Sequence, residues 1–306
     1  MTESDTDVTY EVHGPERHDV PAAGRSGFVV IDDRQVHYLE WGAAGAPAVI
    51  ALHGGGQTAY MFEEIGRELR STHHVIAPDL PGHGESEALS HDPRDFSRQT
   101  LAATLPGLLA EFGIEHASFI GASLGGILSL TLAAADPAKV NAIALIDVGH
   151  RLEEAGVRRI VEFMGKHESF GSLAEAAEAV AEFNPDRPKA DPERLRRNLR
   201  QRPDGRWTWK HNLGAVSAER IKEVKWEDDI LAGLGDDAAK ITVPVLVLRG
   251  QKSDVLSSDG AEEVAALLPN GRLVEVHNAG HLAAGDNPES TVSLIRGFLN
   301  EIEGNN

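Results

Sequence analysis

The chain has 306 residues, 41% of them hydrophobic, with no cysteine and a formal net charge of −19. That acidity excludes nucleic acid and anionic membrane surfaces as partners, since both need clustered Lys and Arg, and it disfavours a strongly anionic substrate unless a local Arg cluster overrides the global field. The missing cysteines exclude disulfides and thiolate metal sites.

Residues 1–25 are polar, acidic and aperiodic and read as a loose leader; they have no apolar core and so are no signal peptide. No run reaches the ~18 apolar residues of a membrane helix. A soluble, cytoplasmic protein is expected. A hairpin follows, with Phe28–Ile31, the turn Asp32-Asp33-Arg34, and Gln35–Trp41 in alternating polarity. Strands and helices then alternate: strand Val49–His53, helix Met61–Leu69, strand Val75–Pro78, helix Ser97–Phe112, strand Ala117–Gly121, helix Leu124–Ala135 and strand Ala142–Asp147. The rhythm breaks between His150 and Asp237, where helical patterns recur at Glu153–Gly165, Leu173–Phe183, Pro192–Leu199 and Ala218–Leu234. That stretch holds Trp207, Trp209 and Trp226, three of the four tryptophans. It reads as an all-helical insertion. Strand Val245–Arg249, helix Ala261–Leu268, strand Leu273–His277 and helix Pro288–Leu299 complete the chain. Short apolar strands alternating with helices predict an α/β fold, a mostly parallel, doubly wound sheet covered on both faces.

Four segments stand out. In Gly121-Ala122-Ser123-Leu124-Gly125 a serine stands between strand and helix with glycine two positions to either side. Small neighbours allow a sharp turn that lifts the hydroxyl above the sheet and turns the Leu124 N–H toward a developing oxyanion. An apolar strand runs into His53-Gly54-Gly55-Gly56, where the Gly55 amide can supply the second oxyanion donor. Asp79-Leu80-Pro81-Gly82-His83-Gly84-Glu85-Ser86 follows the next strand. Asp254 and His281 each lie just beyond a late strand.

Together these motifs resemble the α/β-hydrolase superfamily, over about residues 26–147 and 240–302, in its Ser, Asp, His chain order. The resemblance implies an α/β-hydrolase core formed by residues 26–147 and 238–306, with residues 148–237 as a helical cap or lid. It also implies Ser123 as nucleophile, His281 as base and Asp254 as the acid that orients it. Asp254 is favoured because it lies 27 positions before His281 (281 − 254), the usual family separation; Asp259 and Asp147 are its competitors. His53, His83 and Asp79 are read as scaffold without chemistry. Trp207 and Trp209 are expected to bind substrate in the cap, while Trp226 fits cap core.

The reading is a serine hydrolase that cleaves a neutral, fairly apolar carboxylic ester or lactone through an acyl-enzyme, with neither metal nor cofactor. A serine at the elbow speaks against dehalogenases and most epoxide hydrolases of this fold, which use aspartate there. The alternatives are a carbon–carbon bond hydrolase of the vinylogous diketone type or a perhydrolase on the same triad, and a hydrolase-fold ligand receptor with residual turnover. The partner is a small-molecule substrate, and the oligomeric state, homodimer or other, stays open.

Overall fold

The computed structural model describes residues 20–88, 97–185, 187, 189–211 and 230–304. Residues 1–19 of the expected leader lie outside them, as do Trp226 and most of the helix expected at 218–234. The strands are β1 (Arg25–Ile31), β2 (Arg34–Trp41), β3 (Ala48–Leu52), β4 (His74–Pro78), β5 (Ala117–Ala122), β6 (Val140–Ile146), β7 (Leu199–Gln201), β8 (Trp207–Trp209), β9 (Val245–Gly250) and β10 (Gly271–Val276). The helices are α1 (Glu63–Leu69), α2 (Arg98–Ala102), α3 (Leu105–Glu111), α4 (Leu124–Ala135), α5 (Glu154–Lys166), α6 (Leu173–Phe183), α7 (Leu234–Ala238), α8 (Ser258–Leu267), α9 (Ala283–Asp286) and α10 (Pro288–Gly304).

Eight strands form one sheet in the order β1-β2-β4-β3-β5-β6-β9-β10. β1 and β2 pair antiparallel, β2 joins β4 antiparallel, and every other pair is parallel. Asp32 and Asp33 both take positive φ (51° and 61°), the conformation a two-residue hairpin turn demands. Strands β3 to β6 are buried almost throughout, which is why they read as continuous apolar runs. The pleat sends alternate residues to two cores. Ile50, Leu52, Ile143 and Leu145 meet Leu105, Leu128 and Val264 on one face; Val49, Ala51, Ala144 and Ile146 meet Ile65, Val292, Ile295 and Phe298 on the other. Each such Leu, Ile or Phe contributes about 1.5–3 kcal/mol on burial.

Two local expectations are corrected. The single helix expected over Ser97–Phe112 is two, α2 and α3, because Pro106 has no N–H to donate to the turn before it and its ring crowds that turn. The insertion is not all-helical. β7 and β8 pair antiparallel, with Leu199 opposite Trp209 and Gln201 opposite Trp207. Between them the Arg202 N–H donates to Arg206 O at 2.8 Å and Gly205 turns the chain at φ 83°. A β-bridge from Phe170 to Trp207 widens this ribbon. Phe170, Leu173, Ala176, Ala177, Leu195, Leu199 and Trp207 close a third, separate core within the insertion. Among the described residues no helix is long and apolar enough to cross a membrane.

Candidate active site

The site lies at the C-terminal ends of the central parallel strands, where β5 delivers Ser123, β6 Asp147, β9 the loop Gln251–Leu256 and β10 the loop carrying His281. Ser123 has φ 47° and ψ −117°, a backbone state that costs of order 1–3 kcal/mol for a residue with a Cβ. Close packing fixes it. A Cβ on Gly125 would sit 2.0 Å from Leu52 O, and one on Gly121 would sit 2.5 Å from Gly125 O, so only glycines let α4 start this close to β3 and β5. The Ser123 N–H donates to Ile146 O at 3.1 Å, which sets the elbow beside the end of β6. Ser123 and Leu124 are half-buried between buried neighbours.

Asp147 follows directly, fully buried and itself at φ 52°. Its Oδ1 accepts the Gly250 N–H at 2.8 Å; its Oδ2 accepts the Ser253 hydroxyl at 2.5 Å and His281 Nδ1–H at 2.8 Å. With the Nδ1 proton committed to the carboxylate, the assigned tautomer leaves His281 Nε2 as the lone-pair nitrogen.

The expectation that Asp254 orients His281 is therefore corrected. The carboxylate bonded to the imidazole is Asp147. Asp254 binds the cap, its two oxygens accepting from Arg159 Nε (2.7 Å) and Nη2 (3.0 Å), with 45% of its side chain exposed. Hydrogen bonding and charge from Arg159 hold its carboxyl below the usual carboxylate range. Counting along the chain favoured Asp254. The sheet order makes β6 and β9 neighbours, with Ile146 level with Leu248, so a residue far upstream arrives at the same place. The available signal was an aspartate closing a buried apolar strand, which needs partners to be tolerable. Ser253, the hydroxyl that braces Asp147, had no sequence signal.

The glycine loop runs past the elbow. A Cβ on Gly54 would lie 3.2 Å from Ser123 Cβ. His53 is wholly buried and pins the loop's start, its Nδ1–H donating to Gly54 O (2.8 Å) and its Nε2 accepting the Leu80 N–H (2.9 Å). The Gly54 N–H donates to Gln57 Oε1 at 3.1 Å and the Gly56 N–H to His83 Nε2 at 3.1 Å. Among the described residues the amides of Gly55 and Leu124 have no protein acceptor. Asp79 is a hub behind this loop: its Oδ2 accepts from His37 Nδ1 (2.7 Å) and the Glu85 N–H (3.0 Å), its Oδ1 from the Ala59 N–H (2.7 Å). Burial works to raise its pKa, but the His37 bond and charge outweigh burial and hold it below the usual range.

The insertion grips the site from three sides. Arg159 on α5 holds Asp254, and Gly156 packs so close to Asp254 O that a Cβ would lie 2.0 Å from it. Arg187 bonds Leu282 O, just after His281, and Asp286 at the end of α9, and Asp286 also accepts the Gly280 N–H. Asn198 Oδ1 accepts the Thr58 hydroxyl at 3.0 Å, and Lys210 O accepts the Gly84 N–H at 2.6 Å. Trp207, expected on the pocket wall, is instead in the insertion's own core, 8% exposed and covered by the Arg196 guanidinium 4.7 Å from its ring centre. Trp209 is half-buried, edge-on to Phe170 and parallel to His211, whose ring lies against Gly56. Among the described residues no three His, Asp or Glu side chains are grouped to hold a metal ion.

A family model described as the alpha/beta hydrolase family matches residues 49–294. The chain is 29% identical over 272 residues to the esterase Rv0045c of Mycobacterium tuberculosis, covering 85% of each. It is 28% identical over 274 residues to a 3-hydroxybutyrate-oligomer hydrolase of Cupriavidus necator, covering 85% of this chain and 92% of that one. A crystal structure of an alpha/beta hydrolase from Novosphingobium aromaticivorans aligns with TM-score 0.75 at 30% identity, covering 92% of this chain and 99% of the other.

Proposed function

The chain belongs to the alpha/beta hydrolase family, and on that premise we propose that it hydrolyses carboxylic esters through an acyl-enzyme on Ser123. The observation that carries this is the strained Ser123 elbow, tied through its N–H to Ile146 at the end of β6, where the buried carboxylate of the next residue, Asp147, holds the Nδ1–H of His281. Ser123 Oγ attacks the ester carbonyl as His281 Nε2 takes its proton; the imidazolium returns that proton to the departing alkoxide. The Gly55 and Leu124 amides receive the oxyanion. Water, deprotonated by His281, then attacks the acyl carbon and frees Ser123. Asp147 keeps the tautomer and balances the imidazolium charge. No step requires a metal or a cofactor.

The relatives named as an esterase and as a 3-hydroxybutyrate-oligomer hydrolase support carboxylic ester hydrolysis at the level of the family. The net charge of −19, with Arg159 and Arg187 already spent on Asp254 and Asp286, favours a neutral acyl group. The test is turnover of p-nitrophenyl esters of rising chain length, beside lactones and vinylogous diketones. Ester hydrolysis should dominate, and Ser123→Ala should lower kcat/KM by ~10⁴-fold or more without loss of fold. Diketone cleavage well above ester cleavage, or turnover retained in the alanine variant, contradicts the proposal.

A further inference from the structure

The sequence reads His83, in the turn 79–86, as scaffold without chemistry, and the structure brings its side chain to the glycine loop. His83 is 5% exposed, donates from Nδ1 to Pro81 O at 3.1 Å and accepts the Gly56 N–H on Nε2 at 3.1 Å. Gly56 has φ 74°, so the peptide on its N-terminal side is turned by this contact away from the direction an extended strand would give it. The residue between the two histidine pins is Gly55. His53 fixes the carbonyl of Gly54, His83 fixes the amide of Gly56, and the Gly55 amide is the one left without an acceptor.

The insertion seals this arrangement. His211 forms an antiparallel bridge with His83, Lys210 O accepts the Gly84 N–H, and Lys210 Nζ pairs with Glu85 at 2.7 Å. The His53, His83 and His211 rings form a row, with centroids 5.1 Å and 6.3 Å apart.

We infer that His83 is a positioning residue for ester hydrolysis: by accepting the Gly56 N–H it presents the Gly55 amide to the oxyanion, and the Lys210–His211 end of the ribbon holds it in place. Burial, then the neighbouring His53 and His211, push the His83 pKa down to about 3, with Asp79 as the one opposing charge, so the Nε2 lone pair is available wherever His281 can act as a base. The inference rests on the function proposed above.

The test compares His83→Gln, whose amide oxygen can still accept from Gly56, with His83→Met, which fills similar volume without a good acceptor. Against p-nitrophenyl esters, His83→Met should lose roughly 10–100-fold in kcat with KM changed less than about threefold, part of what deleting one oxyanion donor costs. Affinity for an aryl trifluoromethyl ketone, which becomes an oxyanion on Ser123, should fall by the same factor, and His83→Gln should recover most of both. Equal loss in the two variants, loss confined to KM, or unchanged ketone affinity would overturn the inference. Amide hydrogen exchange on the wild-type chain reads the same bond without a substitution: Gly56 should be protected and Gly55 should exchange freely. Equal rates at the two amides would also overturn it. A wild type inactive on every ester would instead remove the function proposed above, and the exchange rates would still decide the Gly56–His83 bond.

Discussion

Asp147 and Asp254 stand on neighbouring loops and differ most in what already occupies them. Asp147 is buried and spends its two oxygens on Gly250, Ser253 and His281. Asp254 is half-exposed and spends both on Arg159. Asp147→Asn should therefore cost ~10⁴-fold in kcat by presenting the wrong tautomer of His281. Asp254→Asn removes an exposed pair worth ~1 kcal/mol or less and should leave kcat within a few-fold. Steady-state kinetics of the two variants decide between them; a silent Asp147→Asn beside an inactive Asp254→Asn would restore the assignment made from chain spacing. Ser123, His281 and the glycine loop were legible in the sequence because each is marked locally, by glycines or by a Gly-His step after a strand. The carboxylate that bonds His281 was not, because nothing local distinguishes one loop aspartate from another until the strands are placed side by side.

At the scale of elements, the ribbon β7–β8 separates two tryptophans that looked equivalent in sequence. Both rings lie on one face of β8, opposite to Thr208, but Trp207 is inside the insertion's core while Trp209 packs at its margin, parallel to the His211 ring that faces Gly56. Trp207→Ala should thus lower stability by about 3–5 kcal/mol, as for a large core residue, and reduce turnover of short and long esters alike. Trp209→Ala should shift the ratio of kcat/KM between long and short acyl chains, by about 1–3 kcal/mol. Chemical denaturation and paired kinetics separate these outcomes, and a selectivity change in Trp207→Ala with unaltered stability would reverse the roles. The strand–helix alternation of the core was readable because burial on both faces leaves continuous apolar runs. The ribbon was missed because strands of three residues carry too few alternations to outweigh the Ala- and Glu-rich helical background. Its clue was the Pro203-Asp204-Gly205 turn.

Across the whole molecule, burial also sets a pH dependence of stability. Burial is the leading cause that pushes His83 down to about 3 and His211 down to about 4, while their unfolded forms titrate near 6.5. Between those values the unfolded chain binds more protons than the folded one. Stability is therefore full above about pH 6.5 and falls on acidification, by about 1.4 kcal/mol per pH unit for each such histidine. Thermal unfolding from pH 7.5 to 5 should show this decline, and His211→Gln should flatten it; an unchanged slope would mean that other groups set it. The fold also contains a hydrogen-bonded Ser-His-Asp chain away from the Ser123 elbow. The Ser26 hydroxyl lies 2.8 Å from His37 Nε2, and His37 Nδ1 lies 2.7 Å from Asp79. Its serine sits on the edge strand β1 in ordinary extended structure, without a glycine elbow, and ties the hairpin to the Asp79 turn. Among the described residues only Ser123 combines the strained elbow with two neighbouring amides that have no protein acceptor. The most direct measurement is reaction of the wild-type chain with a fluorophosphonate, followed by peptide mapping and residual esterase activity. One adduct per chain is expected, on Ser123, with activity lost in proportion to labelling. An adduct on Ser26 or another serine, or full activity in a chain labelled at Ser123, would contradict it.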